Sequence, residues 1–123
     1  MDRALSSMLS LSMKAGKLKT GDSACVKALR SGEAKLIILA VDASGNTKKK
    51  FINKSKFYNT PVYIYNPMAV LSHSTGVVNR AVFAVTDSGF ATNIEKRLSQ
   101  NDEARQVLSI KDANITEACE WRK

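Results

Sequence analysis

Three short apolar runs divide the chain and predict the strands of a sheet. They are KLIILAV at 35–41, PVYIY at 61–65 and AVFAV at 81–85, and they are rich in β-branched and aromatic residues. Unbroken apolar character is typical of strands that are covered on both faces. The connections between the runs are long enough for crossover helices. This alternation predicts an α/β fold with helices on both faces of one sheet, and KLK at 17–19 would add an edge strand.

The N-terminal segment predicts an amphipathic helix, because Leu5, Met8, Leu9 and Met13 recur at steps of three and four residues. Serines interrupt the apolar stripe, which argues against a signal peptide. No stretch approaches the roughly 18 apolar residues of a membrane span. We therefore expect a cytoplasmic protein that does not contact a membrane.

The segment KLKTGDSACVKALRSG at 17–32 predicts a second helix that begins near Thr20 or Gly21, with Asp22 in its first turn. At 100° per residue this helix has an apolar side that should face the sheet and a polar side opposite to it. The apolar side holds Cys25, Ala28 and Leu29, and the polar side holds Ser23, Lys27, Arg30 and Ser31.

The start of this second helix fits two interpretations. Helix starts attract anions because their first N–H groups lack partners and the helix dipole is positive there. Asp22 works against such a site, because a carboxylate near the cap satisfies some of the same donors. The residues alone leave an anion site and an ordinary solvated surface equally open.

Positive charge is concentrated in the first half of the chain. The formal net charge is +8, and residues 1–60 carry 12 Lys and Arg against 4 Asp and Glu. The two signs cancel within 61–90 and again within 91–123. A concentrated positive field attracts polyanions, so this distribution favours nucleic acid or an anionic membrane surface as a partner, with simple solubility as the alternative.

Catalytic and metal sites are hard to assemble from these residues. His73 is a lone histidine in a predicted helix, where packing or surface exposure is the commoner role. Asp42 and Asp87 follow predicted strands and are either paired carboxylates or turn-forming residues. Cys25 and Cys119 are far apart and do not supply a zinc site. We expect no catalytic residues, no metal and no cofactor.

The order of several segments is similar to that of a known family. LSMKAGKLKTGDSACVKALRSGEAKLIILAVDASGNTKKK, YNTPVYIY and AVFAVTDSGFA lie within residues 3–95. Together they resemble the kink-turn RNA-binding family of ribosomal proteins (the L7Ae type), in particular its small bacterial YlxQ-like members. The resemblance implies a three-layer α/β/α sandwich with a mixed four-stranded sheet. It divides the chain into an RNA-binding domain at 1–97 and a C-terminal extension at 98–123, helical or partly disordered.

The family's G-x-N-E-x-T-K motif enters RNA at the start of the second helix and matches GDSACVK here. Gly21 and Lys27 are kept, whereas Ser23, Ala24 and Val26 stand at the asparagine, glutamate and threonine positions. We expect Lys27 to donate to a guanine edge and Ser23 to donate one hydrogen bond. Gly21 would let the backbone approach the RNA closely, because it has no Cβ.

The family's second RNA contact is the loop between the fourth helix and the last strand, which matches 75–80. Val77 and Val78 would cover a flipped-out nucleotide there and Arg80 would add a cation, unless this is an ordinary loop with exposed valines. Three further cations are weaker candidates for phosphate contacts: Lys19, Arg30 and Lys48.

The sequence thus predicts a monomeric, non-catalytic protein that binds kinked, structured RNA, with ribosomal RNA on the ribosome as a candidate target. The missing Asn-Glu pair at Ser23 and Ala24 favours one alternative, a protein-interaction module on the ribosome with weak or lost RNA specificity. A small-ligand or enzymatic domain that uses Asp42 and Asp87 is the other alternative.

Overall fold

A computed structural model describes residues 3–77, 80–101 and 104–107. These residues alternate between helices and strands along the chain. The helices are α1 (Arg3–Lys14), α2 (Asp22–Arg30), α3 (Gly45–Phe57), α4 (Met68–Thr75) and α5 (Ser88–Ser99). The strands are β1 (Leu18–Thr20), β2 (Leu36–Leu39), β3 (Val62–Ile64), β4 (Val82–Val85) and β5 (Arg105–Val107).

The strands form one mixed sheet in the order β1-β4-β2-β3-β5. β2 and β3 run parallel, with Ile37 opposite Val62, and the other three pairings are antiparallel. The three predicted core strands and the predicted edge strand are confirmed.

Alternate residues of each strand face opposite layers, as the two-residue period of a strand requires. On β2, Leu36 and Ile38 pack in one core cluster with Leu5 of α1, Leu71 of α4 and Ile94 of α5. The next residues along the strand pack in a second cluster with residues of α2 and α3; these strand residues are Ile37 and Leu39. The sheet therefore lies between two helical layers, which confirms the three-layer α/β/α prediction and explains why β2 is apolar throughout.

The sheet has one strand more than the four predicted. β5 lies in the C-terminal extension and pairs with β3 at an edge, with Val107 opposite Val62. The expectation of a helix is wrong for residues 105–107, because their backbone pairs with the otherwise free edge of β3. The rest of the extension, from residue 108 onward, lies outside the described residues.

The N-terminal helix matches its prediction. Leu5 and Leu9 of α1 are buried, and Met8 and Met13 pack partly buried against the same cluster. Leu11 lies on the other side of the helix and is exposed.

The sheet has two ends, which we name the motif end and the far end. At the motif end, β1, β2 and β3 finish, β4 begins, and α2, α3 and α4 start; the Gly21 N–H donates to the Val82 carbonyl at 3.0 Å there. At the far end, β2 and β3 begin and α2 and α3 finish; the Ile37 N–H donates to the Pro61 carbonyl at 2.9 Å. Each candidate residue can be assigned to one of these ends.

Candidate nucleic-acid interface

Gly21 and Arg80 meet at the motif end, although they are far apart in sequence. A Cβ added to Gly21 would lie 3.6 Å from both Cδ and a terminal guanidinium nitrogen of Arg80. Arg80 itself is exposed. The start of α2 and the segment before β4 therefore form one surface, as the two contacts implied by the resemblance require.

Gly21 has a backbone conformation that other residues avoid. It is the N-cap of α2, with φ 90° and ψ 164°. A side chain at a φ of this sign is strained whatever space surrounds it. The position therefore favours glycine, and the Arg80 side chain lies beside it.

The two faces of α2 are as predicted. Cys25, Ala28 and Leu29 are buried against the sheet. Ser23 and Lys27 are exposed and lie four residues apart, on the same side of the helix. Both candidate base contacts of the motif are therefore accessible to a ligand at the motif end.

Asp22 does not cap α2 with its carboxylate, contrary to the expectation that it would compete for the helix donors. Its Oδ2 accepts a hydrogen bond from Lys50 Nζ of α3 at 2.9 Å, and both side chains are about half exposed. The pair ties the starts of α2 and α3 together and offsets the negative charge beside the motif. The sequence offered no sign of this pairing beyond the lysine run that contains Lys50.

Cys25 is a structural residue of this surface. Burial, and then the negative charge of Asp22, raise the pKa of its thiol to about 12. The protonated Sγ donates to the carbonyls of Lys19 and Val82, at 3.5 and 3.7 Å. These contacts join α2 to β1 and β4, and a thiol held protonated at neutral pH is a poor nucleophile.

Three helices begin at the motif end, so their dipoles place partial positive charge there. α3 is capped by Ser44, whose hydroxyl accepts from the Thr47 N–H at 3.1 Å. α4 is held by Asp42, whose Oδ1 accepts from the Met68 N–H at 2.9 Å. The combined field favours an anionic ligand at this end.

The alternative that paired Asp42 with Asp87 is wrong. β2 and β4 are antiparallel, so the residues that follow them lie at opposite ends of the sheet. Asp87 caps α5 at the far end, where its Oδ2 accepts from the Phe90 N–H at 2.9 Å. Both carboxylates serve helix starts, and the turn-forming interpretation accounts for them.

Lys48 departs most from its expected role as a phosphate contact. Its side chain is 1% exposed, among the largest fully buried side chains of the described residues. It shares the buried face of α3 with Phe51, Ile52 and Ser55. The spacing from 48 to 51 and 52 is three and four residues, so the sequence already held the signal that Lys48 lies on the inner face.

The loop before β4 is described only in part. α4 ends at Thr75, and Gly76 follows in the left-handed conformation, with φ 81°. Val77 is partly buried and packs against the first core cluster. Val78 and its neighbour Asn79 lie outside the described residues, so the expected cover for a nucleotide stays a prediction.

Two of the other candidate cations lie at different ends of the protein. Lys19 is exposed on β1, beside the start of α2. Arg30 is exposed in the last turn of α2, about 13.5 Å from Gly21 along the helix axis at the usual rise per residue. The structure therefore groups Lys19 with the motif and assigns Arg30 to the far end.

Metal clusters and membrane spans are absent from the described residues. In those ranges no cluster of three or more His, Cys, Asp or Glu side chains is placed to hold a metal ion. None of the helices described is both long and apolar enough to cross a membrane.

Known proteins resemble this chain over most of its length. The sequence profile of the ribosomal protein L7Ae/L30e/S12e/Gadd45 family matches residues 3–95. "RNA-binding protein YlxQ" of Bacillus subtilis is 40% identical over 87 residues, covering 71% of this chain and 87% of that protein. "RNA-binding protein YlxQ" of Enterococcus faecium is 39% identical over 84 residues, covering 68% and 81%.

A solved structure has the same fold. It belongs to a protein with unknown function from Bacillus halodurans C, with a TM-score of 0.74 and 34% sequence identity. The similarity covers 77% of this chain and 96% of that one.

Proposed function

This chain belongs to the ribosomal protein L7Ae/L30e/S12e/Gadd45 family, and on that premise we propose that it is a non-catalytic protein that binds structured RNA at the motif end. The observation that carries the proposal is the contact of the Arg80 side chain with Gly21, at the start of α2. The family match and the names of the two bacterial relatives support RNA as the ligand.

We propose that the preferred RNA is kinked. A regular RNA duplex hides its base edges in a deep, narrow groove. A kink opens that groove but brings phosphates close together, and bound cations reduce the repulsion. The motif end offers such cations beside three helix starts. A protein that binds the bent form better shifts the RNA toward it.

Within this proposal each exposed residue of the motif has one role. Lys27 donates to the carbonyl oxygen or ring nitrogen of a guanine, and Ser23 donates a shorter-reaching hydrogen bond. Gly21 admits the RNA close to the backbone. Arg80 and Lys19 contact phosphates, which adds affinity for every RNA sequence. We take Lys48 out of the phosphate-contacting set, because its side chain is buried.

The test is a titration of the full chain with two RNAs of equal length and charge, one with a kink and one fully paired. We expect tighter binding of the kinked RNA. Arg80→Ala should weaken binding of both and reduce the salt dependence, because it removes a phosphate contact. Lys96→Ala is the matched control, since Lys96 is exposed on α5, on the other helical layer. Equal affinity for both RNAs would refute the preference for a kink.

A second candidate function is a protein-interaction module on the ribosome. Ser23 and Ala24, in place of the Asn-Glu pair of the motif, favour it. Ribosome association and ribosomal RNA as the target are supported by the family description. We propose that the protein acts as a cytoplasmic monomer. Sedimentation with ribosomes that persists after nuclease treatment, together with one protein partner, would favour the module over the RNA-binding role.

A further inference from the structure

We propose that the far end of the molecule is a second RNA-binding surface, which takes unpaired nucleotides and stacks a base on Phe57. The proposal rests on the proposed function for its ligand class, RNA, but it uses residues that the motif does not. It concerns the surface formed by the C-terminal turns of α2 and α3 and the loops that follow them.

An exposed aromatic pair marks this surface. Phe57, the last residue of α3, is 79% exposed, and Tyr58 beside it is 37% exposed. Their ring centroids are 5.0 Å apart and the rings are nearly perpendicular. A phenylalanine that keeps most of its surface in water adds little to folding, so packing within this domain does not explain the residue.

Two shallow cavities lie beside the end of α3 and meet at Asn59 and Thr60, and Tyr58 lines the second of them. Their volumes are about 300 and 360 Å³. Three cations line them: Arg30, Lys35 and Lys56.

The acidic residue nearest in sequence is Glu33. Within the described ranges no carboxylate forms an ion pair with any of the three cations. The surface therefore has a positive field around an aromatic centre.

This combination is the one that proteins use for single-stranded nucleic acid. Cations follow the phosphates, and an aromatic side chain stacks on a base of any identity. Cations near helix C-termini also interact favourably with the helix dipole, and this interaction is sufficient to explain the positions of Arg30 and Lys56. Lys35 has a similar structural role, since its Nζ donates to the Gly32 carbonyl just after α2 at 3.2 Å. Neither explanation accounts for the exposed ring of Phe57.

Charge complementarity favours RNA, rather than residues 108–123 of this chain, as the ligand of the far-end surface. Because β5 runs antiparallel to β3, Val107 lies opposite Val62 at the far end, and residues 108–123 continue from there. That segment carries three basic and three acidic residues, so it has no net charge to complement the surface. A polyanion complements it at every cation.

The test uses the full chain and a fluorescein-labelled 12-nucleotide oligouridine as probe. We expect Phe57→Ala to weaken its binding roughly 5- to 100-fold, the usual loss for one stacked base, and Phe57→Trp to retain it. Leu11→Ala is the matched control, because Leu11 is an exposed apolar residue on α1. Replacing both Arg30 and Lys35 by alanine should lower the slope of log affinity against log salt, by about 0.7 for each lost phosphate contact.

Binding of a kinked duplex without single-stranded ends tests the proposed function independently of the second surface. Phe57→Ala should leave that duplex unaffected, and Arg80→Ala should weaken the duplex much more than it weakens oligouridine. Oligouridine binding that is insensitive to Phe57→Ala overturns the second surface alone. Loss of a protein partner in that same variant would then assign the aromatic pair to protein docking. If oligouridine binding depends on Phe57 but kinked and straight duplexes bind equally, the kink preference fails and the second surface stands.

Discussion

The motif end and the far end are both basic, but their cations are held in different ways. At the motif end the charged groups contact other elements: Lys50 pairs with Asp22, and the Arg80 side chain lies over Gly21. At the far end Arg30, Lys35 and Lys56 line two adjoining cavities, one of them also lined by Tyr58, and no carboxylate in the described ranges forms an ion pair with these cations. Net charge alone would treat the two surfaces as equivalent.

The difference is one of preorganisation. A surface whose groups are already held loses less entropy on binding and suits a ligand of defined shape, such as a kinked helix. A surface of exposed cations beside aromatic rings tolerates many sequences and suits a flexible strand. We therefore propose that the motif end selects RNA by shape and that the far end is permissive.

The largest expected effect is on folding stability, and it distinguishes Lys48 in the first turn of α3 from Lys56 in its last turn. Lys48→Ala should lower the free energy of unfolding by about 2 kcal/mol or more, because it empties a buried site and removes a polar group that has a partner there. Lys56→Ala, on the exposed end of the same helix, should change it by no more than about 0.5 kcal/mol. Urea denaturation of both variants measures the difference. Equal stabilities would mean that the Lys48 side chain is not buried in solution.

Gly21→Ala tests the strained start of α2. The substituted residue would have to keep a φ near 90°, so we expect a loss of about 1–3 kcal/mol in folding stability or in affinity for kinked RNA. Gly32→Ala is the control, because Gly32 has a positive φ at the far end and nothing lies within 4 Å of its added Cβ. It should lose stability but not affinity for a kinked duplex, measured in the same titration.

Lys27 and Arg30 lie about one turn apart in the second half of α2, so the pair tests how far kinked RNA extends along the helix. Lys27→Ala should weaken binding of kinked RNA by about 1–3 kcal/mol, as expected for a base contact. Arg30→Ala should leave that affinity close to the parent value, because Arg30 lies at the far end. Fluorescence anisotropy with the kinked duplex is the measurement. An equal loss in both variants would show that the RNA extends along the whole helix and would merge the two surfaces.

The smallest effect concerns the Asp22–Lys50 pair. Both side chains are about half exposed, so we expect the pair to add only about 0.2–1 kcal/mol to stability. A double-mutant cycle with Asp22→Asn and Lys50→Ala, at low and high salt, measures this coupling. Coupling that does not fall with salt would indicate that the pair is more desolvated than the structure shows.

Local patterns were sufficient for much of the fold. The three apolar runs became β2, β3 and β4, and the three- and four-residue spacing correctly assigned the buried side of α1 and α2. Strand β5 was not predicted, because RQV has no apolar run and forms a strand by pairing with the open edge of β3.

The candidate site was predicted less completely than the fold. Gly21, Ser23 and Lys27 follow from one contiguous motif, so a linear pattern was enough to select them. Lys48 was misassigned because a run of lysines was interpreted as a solvated face, although its spacing from Phe51 places it on the inner side.

Along the chain, the amino-acid order determined the periods of apolar residues, the helix starts and the concentration of positive charge, because each depends on near neighbours. Folding in three dimensions decided which charged side chains came together. The order and direction of the strands place Arg80 beside Gly21. They bring Lys50 into hydrogen-bonding distance of Asp22. They also place Asp42 and Asp87 at opposite ends of the sheet. Electrostatic and hydrogen-bond energies depend on distances through space, and linear separation does not specify those distances.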